Sequence, residues 1–202
     1  MATHEPPRSG ESEKLRAFVA LSLEPAARKA LTRAGKDLQR EAWAEEVRWV
    51  RPESLHLTLR FLGEIPTTGV SGLLEALTAR MREVEPFACA LSGLALFPSA
   101  SRPRVVAAQV TQERLLTDLA AAVEEAVVDA GYPADARAFR AHVTLGRFRR
   151  GKRRGLEIAA TLQQVPVAVA VNDIVLFRSV LGPGGARYSE LGRVALAERP
   201  ST

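Results

Sequence analysis

Apolar positions along the chain follow two periods. Arg16–Leu23 (RAFVALSL) is a short run of β-branched and aromatic residues, the pattern of a strand. Ser22 and Pro25 suit a helix start, and Leu31, Ala34, Leu38 and Ala42 then recur at helical spacing. Val47–Val50 and, after Pro52, Leu55–Leu62 read as strands. Val70, Leu73, Leu77 and Met81 mark one face of a second helix, and Phe87–Phe97 is a further strand. The pattern then restarts. Arg104–Val110 is a strand, and Thr111 is placed to cap a helix whose stripe is Leu115, Leu119, Val123 and Val127. That helix ends near Gly131 and Pro133. Arg140–Phe148 reads as a strand, Leu156–Gln163 as a short helix and Val165–Arg178 as one long apolar strand. Arg187–Leu196 is expected to pair with it through a turn at Leu181–Gly185 (LGPGG).

The order β-α-β-α-β thus occurs twice. The opening strands begin 88 residues apart, at Arg16 and Arg104, and two His-x-Thr tripeptides begin 86 residues apart, at His56 and His142. Nearly equal offsets predict two related halves. They predict an α+β fold in which two small sheets face each other with helices outside.

Composition narrows the class. Of 202 residues, 47% are hydrophobic and 25% charged, which excludes global disorder. No run reaches the ~20 apolar residues of a membrane helix. Residues 1–14 read as a disordered tail with no secretory signal, and residues 15–197 as a single domain of two related lobes. The single cysteine, Cys89, rules out an intrachain disulfide and a cysteine-rich zinc module; it reads as a small core residue in a reducing cytoplasm. The net charge is +5, and all but four of the 28 basic residues are arginine, a balance that attracts anions such as phosphate, nucleotide and RNA.

His4 lies in the tail. The other two histidines both occur as His-x-Thr-Leu, in SLHLTLRFLGE (Ser54–Glu64) and RAHVTLGRFRR (Arg140–Arg150). On a strand, His56 and Thr58 share one face while Leu55, Leu57 and Leu59 share the other; His142 and Thr144 likewise stand opposite Val143 and Leu145. Each half presents an imidazole beside a hydroxyl. Two imidazoles flanking a phosphodiester can divide the proton transfers, one taking a proton from water and one giving a proton to the leaving oxygen. Two threonine hydroxyls can hydrogen-bond the non-bridging oxygens as charge shifts onto them. That chemistry calls for no metal, and no cofactor is expected.

These residues, together with RAFVAL (Arg16–Leu21), WVRPESLHLTLRFLGE (Trp49–Glu64), FRAHVTLGR (Phe139–Arg147) and SVLGPGGARYSEL (Ser179–Leu191), resemble the 2H phosphoesterase superfamily. They are most similar to its bacterial and archaeal RNA 2′,3′-cyclic phosphodiesterases, also called 2′-5′ RNA ligases. One departure is Ala141, where members commonly carry proline. The resemblance implies a bilobal, pseudo-symmetric fold with both histidines facing a central cleft. It implies hydrolysis of RNA or nucleotide 2′,3′-cyclic phosphates to 2′-phosphates, with His56 as proton donor, His142 as proton acceptor, and Thr58 and Thr144 holding the phosphate. A monomer with no membrane partner is expected. Two rival readings are an RNA ligase or tRNA-processing factor using the cleft in reverse, and a non-catalytic nucleotide or RNA binder.

Further candidates surround the motifs. Arg147 follows the second motif as in the family and is a candidate phosphate ligand. Strict alternation puts it opposite His142, so a bulge or its own reach must bring it round. Arg60 shares the His56 face by alternation and is a candidate either to line the cleft, the preferred reading, or to reach solvent. Phe18, Phe139 and Tyr188 are candidates to stack a base or to pack the core. The run Arg147–Gly155 (RFRRGKRRG) is either a solvated loop or an electrostatic guide for RNA.

Overall fold

The structure is a computed structural model, and it describes residues 13–149, 167–182 and 185–197. Among the described residues, nine strands and three α-helices follow the order β1 (Lys14–Ser22), α1 (Pro25–Leu38), β2 (Val47–Trp49), β3 (His56–Pro66), α2 (Val70–Met81), β4 (Phe87–Phe97), β5 (Val105–Val110), α3 (Glu113–Asp129), β6 (His142–Phe148), β7 (Val167–Val171), β8 (Asp173–Gly182) and β9 (Gly185–Ala195). The expected short helix at 156–163, most of the expected tail and most of the basic run lie outside the described residues.

The strands form one antiparallel sheet in the order β7-β4-β5-β6-β3-β1-β8-β9, with β2 beside β6. Two four-stranded halves are therefore joined at β3 and β6. The halves interleave along the chain: α2 and β4 carry it from the first half to the second, and β8–β9 bring it back. The apolar run expected as one strand is split at Asn172, because β7 pairs with β4 while β8 pairs with β1. A single hydrophobic core runs through both halves and includes Val19, Leu57, Leu77, Val106, Val123, Val143 and Ile174. Cys89 is part of it, and burial pushes its thiol pKa up.

Local chemistry explains most boundaries. Pro25 opens α1, where its missing N–H costs nothing. In α3 the buried stripe is Leu116, Leu119, Val123 and Val127, and Leu115 is exposed, one position off the expected stripe. Thr111 does not cap α3; its Oγ1 accepts the backbone N–H of Ala90, tying β4 to the loop. Among the described residues no helix is long and apolar enough to cross a membrane.

The seam between the halves positions the motifs. Leu57 on β3 pairs with Val143 on β6, and no other pair between these strands is in register among the described residues. Moving outward from this pair in antiparallel sense sets His56 across from Thr144 and Thr58 across from His142. The two strands also share a burial pattern. In both His56–Leu62 and His142–Phe148 the imidazole and hydroxyl are half-buried, the next two residues after threonine are buried, and the following one is exposed. The cause is a matched pair of β-bulges. Ala20 faces Thr58 and Val19 faces Arg60, which leaves Leu59 extra; Ala107 faces Thr144 and Val106 faces Gly146, which leaves Leu145 extra.

Candidate active site

Each imidazole is held in the same way. Nδ1 of His56 lies 2.8 Å from the carbonyl oxygen of Ser54, and Nδ1 of His142 lies 2.7 Å from that of Arg140, in each case the residue two positions upstream. A carbonyl only accepts, so Nδ1 carries the hydrogen and Nε2 is the nitrogen left for chemistry. The ring faces are packed as well. Phe18 lies 4.8 Å from the His56 ring and Tyr188 meets it edge-on at 5.1 Å. Phe97 lies 5.3 Å from the His142 ring.

Both imidazole pKa values are lowered. Burial is the main cause in each case, and the Nδ1–H···O=C bond opposes it. Like charge adds to the lowering: Arg147 and His142 act on His56, and Arg147 and Arg140 act on His142. The histidines from the two halves are therefore near enough to influence one another, with the Arg147 guanidinium acting on both.

Two hollows flank this centre. The first, about 700 Å³, is lined by Thr58, His142, Thr144 and Arg147, with Phe97 and Phe139 in its walls. The second, about 670 Å³, is bordered by Phe18, Ser54 and Tyr188. His56 itself lines neither hollow; Thr58, two residues along β3, lines the first, and the ring partners of His56, Phe18 and Tyr188, line the second. Phe61, Arg137 and Arg147 border both.

The structure brings together most of the residues picked from sequence. The bulge at Leu145 turns Arg147 onto the His142 and Thr144 side, so it lines the cleft despite strict alternation. Phe139 and Tyr188 reach the two hollows, half-buried. Two of them are held by other groups: Phe18 takes the packing role that the sequence also allowed, and Arg60 lies on the cleft wall. Phe18 is only 3% exposed and is enclosed by His56, Phe177 and Tyr188, so no free face remains for a base; it supports the imidazole instead. Arg60 borders the first hollow, yet its guanidinium is already engaged by Glu124 on α3, by Asp135 and by the carbonyls of Phe61 and Pro133. The Leu59 bulge takes Arg60 out of the alternation that had placed it beside His56. There it anchors the 133–140 loop, whose Arg137, Phe139 and Arg140 form a wall of the hollow. In that loop the side-chain hydrogen bond from Arg137 is the main cause that holds the Asp135 carboxyl down at about 2.

Sequence reasoning missed Phe61 and Phe97. Phe61 is 41% exposed at the shared rim, and Arg140 lies over the Phe97 ring at 4.5 Å. Phe61 occupies the place in β3 that Arg147 occupies in β6, so comparing the two repeats position by position would have found it. Among the described residues no three His, Cys, Asp or Glu side chains are grouped to hold a metal.

A curled antiparallel sheet whose halves each contribute one His-x-Thr pair to a common seam defines a two-histidine phosphoesterase. The chain belongs to the LigT-like phosphoesterase family, whose model matches residues 21–107 and 109–188. It is 33% identical over 183 residues to the RNA 2′,3′-cyclic phosphodiesterase of Archaeoglobus fulgidus, covering 88% of this chain and 98% of that one. A protein of the same name from Geobacillus stearothermophilus is 32% identical over 169 residues, 80% of this chain, which spans about half (51%) of that relative's length. Among solved structures, TT0787 of Thermus thermophilus superposes with a TM-score of 0.76 at 29% identity, covering 92% of this chain and all of that one. Escherichia coli LigT complexed with 3′-AMP superposes at 0.71 and 28%, with the same coverage.

Proposed function

We infer that this chain is an RNA 2′,3′-cyclic phosphodiesterase that opens cyclic phosphate ends to 2′-phosphates with two histidines and no metal. The observation that carries the reading is the mirrored pair of imidazoles, each with Nδ1–H fixed by the carbonyl two residues upstream, placed either side of one seam. The names of the relatives and the 3′-AMP bound by the LigT structure support a nucleotide substrate.

In this reading Nε2 of His142 takes a proton from water as its oxygen attacks phosphorus. The bond to O3′ breaks, and that oxygen takes the proton from Nε2 of His56. Thr58 and Thr144 donate hydrogen bonds to the non-bridging oxygens, and Arg147 adds a positive charge to the same centre. The 2′-phosphate leaves, and a proton shared through water resets the two rings. Phe61, open at the rim, offers an aromatic face to the nucleobase. Residues 15–197 work as one catalytic domain, a monomer in the cytoplasm.

The pH profile tests the acid–base pairing. One ring must be protonated and the other neutral, so kcat/KM follows a bell. Burial and neighbouring cations lower both pKa values in the free protein. The bell for kcat/KM is therefore centred below the ordinary imidazole value of about 6.5. A bound phosphate stabilises the protonated rings, so the bell for kcat is displaced to higher pH. Initial rates on adenosine 2′,3′-cyclic phosphate across pH 4–9 measure both. A kcat/KM that stays flat over that range would contradict the pairing.

A further inference from the structure

The second hollow is not needed for the proton transfers, yet its chemistry is sharply biased. Five arginines line it, Arg16, Arg48, Arg51, Arg137 and Arg147, and no aspartate or glutamate does among the described residues. Two of the five are engaged. Arg51 faces Glu53 at 3.6 Å and donates to the carbonyl of Ala186, and Arg137 is bound to Asp135. Arg16, Arg48 and Arg147 have no ion-pair partner among the described residues. Glu64 stands opposite Arg16 in the β1–β3 register without forming an ion pair with it. Arg48 and Arg147 are direct cross-strand partners on β2 and β6, a placement of like charges that destabilises a sheet.

Several elements converge to make this arrangement. Gly146 lets β2 close onto β6, because a Cβ there would run into Val47 and Trp49. Arg147, Arg16 and Arg51 are close enough that their charges all act on the Tyr188 hydroxyl, against the burial that raises its pKa. Among the described residues, Arg16, Arg48 and Arg147 are therefore uncompensated cations around one pocket, and an anion is what they are arranged to meet. Arg147 and Phe61 border both hollows, so a ligand whose reacting phosphate lies at the threonines extends past them into this one.

We propose that the arginine hollow binds a second phosphate of the substrate, the one on the 5′ side of the terminal nucleoside, so that the site is built for RNA ends and 5′-phosphorylated nucleotides over bare cyclic mononucleosides. This rests on the phosphodiesterase reading above. Three substrates separate the cases: adenosine 2′,3′-cyclic phosphate, the same compound carrying a 5′-phosphate, and the dinucleotide ApA ending in a 2′,3′-cyclic phosphate. The compounds with a 5′ phosphate are expected to show kcat/KM about tenfold or more above the bare one, the gain of one charge-assisted contact. An advantage for the 5′-monoester alone identifies a terminal phosphate as the ligand, and an advantage for both identifies an RNA backbone phosphate as well.

Arg16→Ala and Arg48→Ala, both at exposed side chains, are each expected to pull these ratios towards one, and added salt to do the same. Equal kcat/KM on all three substrates would overturn the subsite, as would an advantage that survives both substitutions. Failure of the unaltered protein to turn over any of the three would instead overturn the phosphodiesterase reading itself.

Discussion

Replacing His142 by alanine is expected to lower kcat/KM on adenosine 2′,3′-cyclic phosphate by about 10³- to 10⁴-fold, with the same loss for His56→Ala. A positioned acid or base contributes about 10²–10⁴ to rate, and here each ring sits in a site that also loses its packing partner when truncated. The effect falls on kcat, because neither imidazole is the main anchor of the substrate; Arg147, the threonines and the rim aromatic remain. The two rings act as a unit, so the double variant is expected to be little worse than either single one. Each His side chain is half-buried in the cleft and outside the main core, so the melting temperature is expected to change little. Initial rates on the three variants, with thermal melts alongside, test this. A loss below tenfold for either single variant would mean that its ring takes no part in proton transfer.

Arg60→Ala is expected to act mainly on stability. Its guanidinium joins β3 to Glu124 on α3 and to the loop through Pro133 and Asp135. Truncation strips Glu124 of its cation, leaves Asp135 with Arg137 alone and removes the donor that Arg60 gives to two carbonyls. Breaking a buried pair costs about 3–5 kcal/mol. Glu124 and Asp135 keep 27% and 20% exposure, so water takes over part of the lost contact. A loss of about 2–3 kcal/mol is therefore expected, or roughly 5–10 °C in melting temperature for a chain of this size. Arg60→Lys recovers only part, since one ammonium cannot replace a fork of donors spread over four oxygens. Denaturant titration measures it. A variant as stable as the unaltered protein would mean that the Glu124 and Asp135 contacts add nothing to the fold.

These two results bear on what was legible in the sequence. The histidine and threonine pairs were, because period-two alternation places them on one face and the repeat supplies each pair with a counterpart. The helical stripes of α2 and most of α3 were legible for the same local reason. Alternation fails at a bulge, and here a bulge follows each motif. It buries Arg60 and Gly146 and exposes Phe61 and Arg147, a two-for-two exchange that no window of one strand reveals. Phe18 looked like a stacking candidate because its burial depends on Phe177 and Tyr188, which arrive from β8 and β9 more than 150 residues later. The break at Asn172 was hidden for a similar reason. Both flanking segments are apolar, and only their partners, β4 and β1, show that they belong to different halves.

The arginines illustrate the limit from the other side. Charge balance indicated an anionic partner without indicating where it binds. Among the described residues the fold separates arginines tied to carboxylates, such as Arg60, Arg80 and Arg193, from those left unpaired beside the histidines. That separation is a property of long-range pairing, which the net charge of +5 does not reveal.

The central claim is that two imidazoles, acting without a metal ion, open a cyclic phosphodiester between them. Its most direct test is phosphorus NMR of adenosine 2′,3′-cyclic phosphate incubated with chelator-treated protein. Undiminished turnover is expected, with a single new phosphomonoester resonance, that of the 2′-phosphate. Loss of turnover on chelation that returns with added metal, or accumulation of the 3′-phosphate, would contradict it.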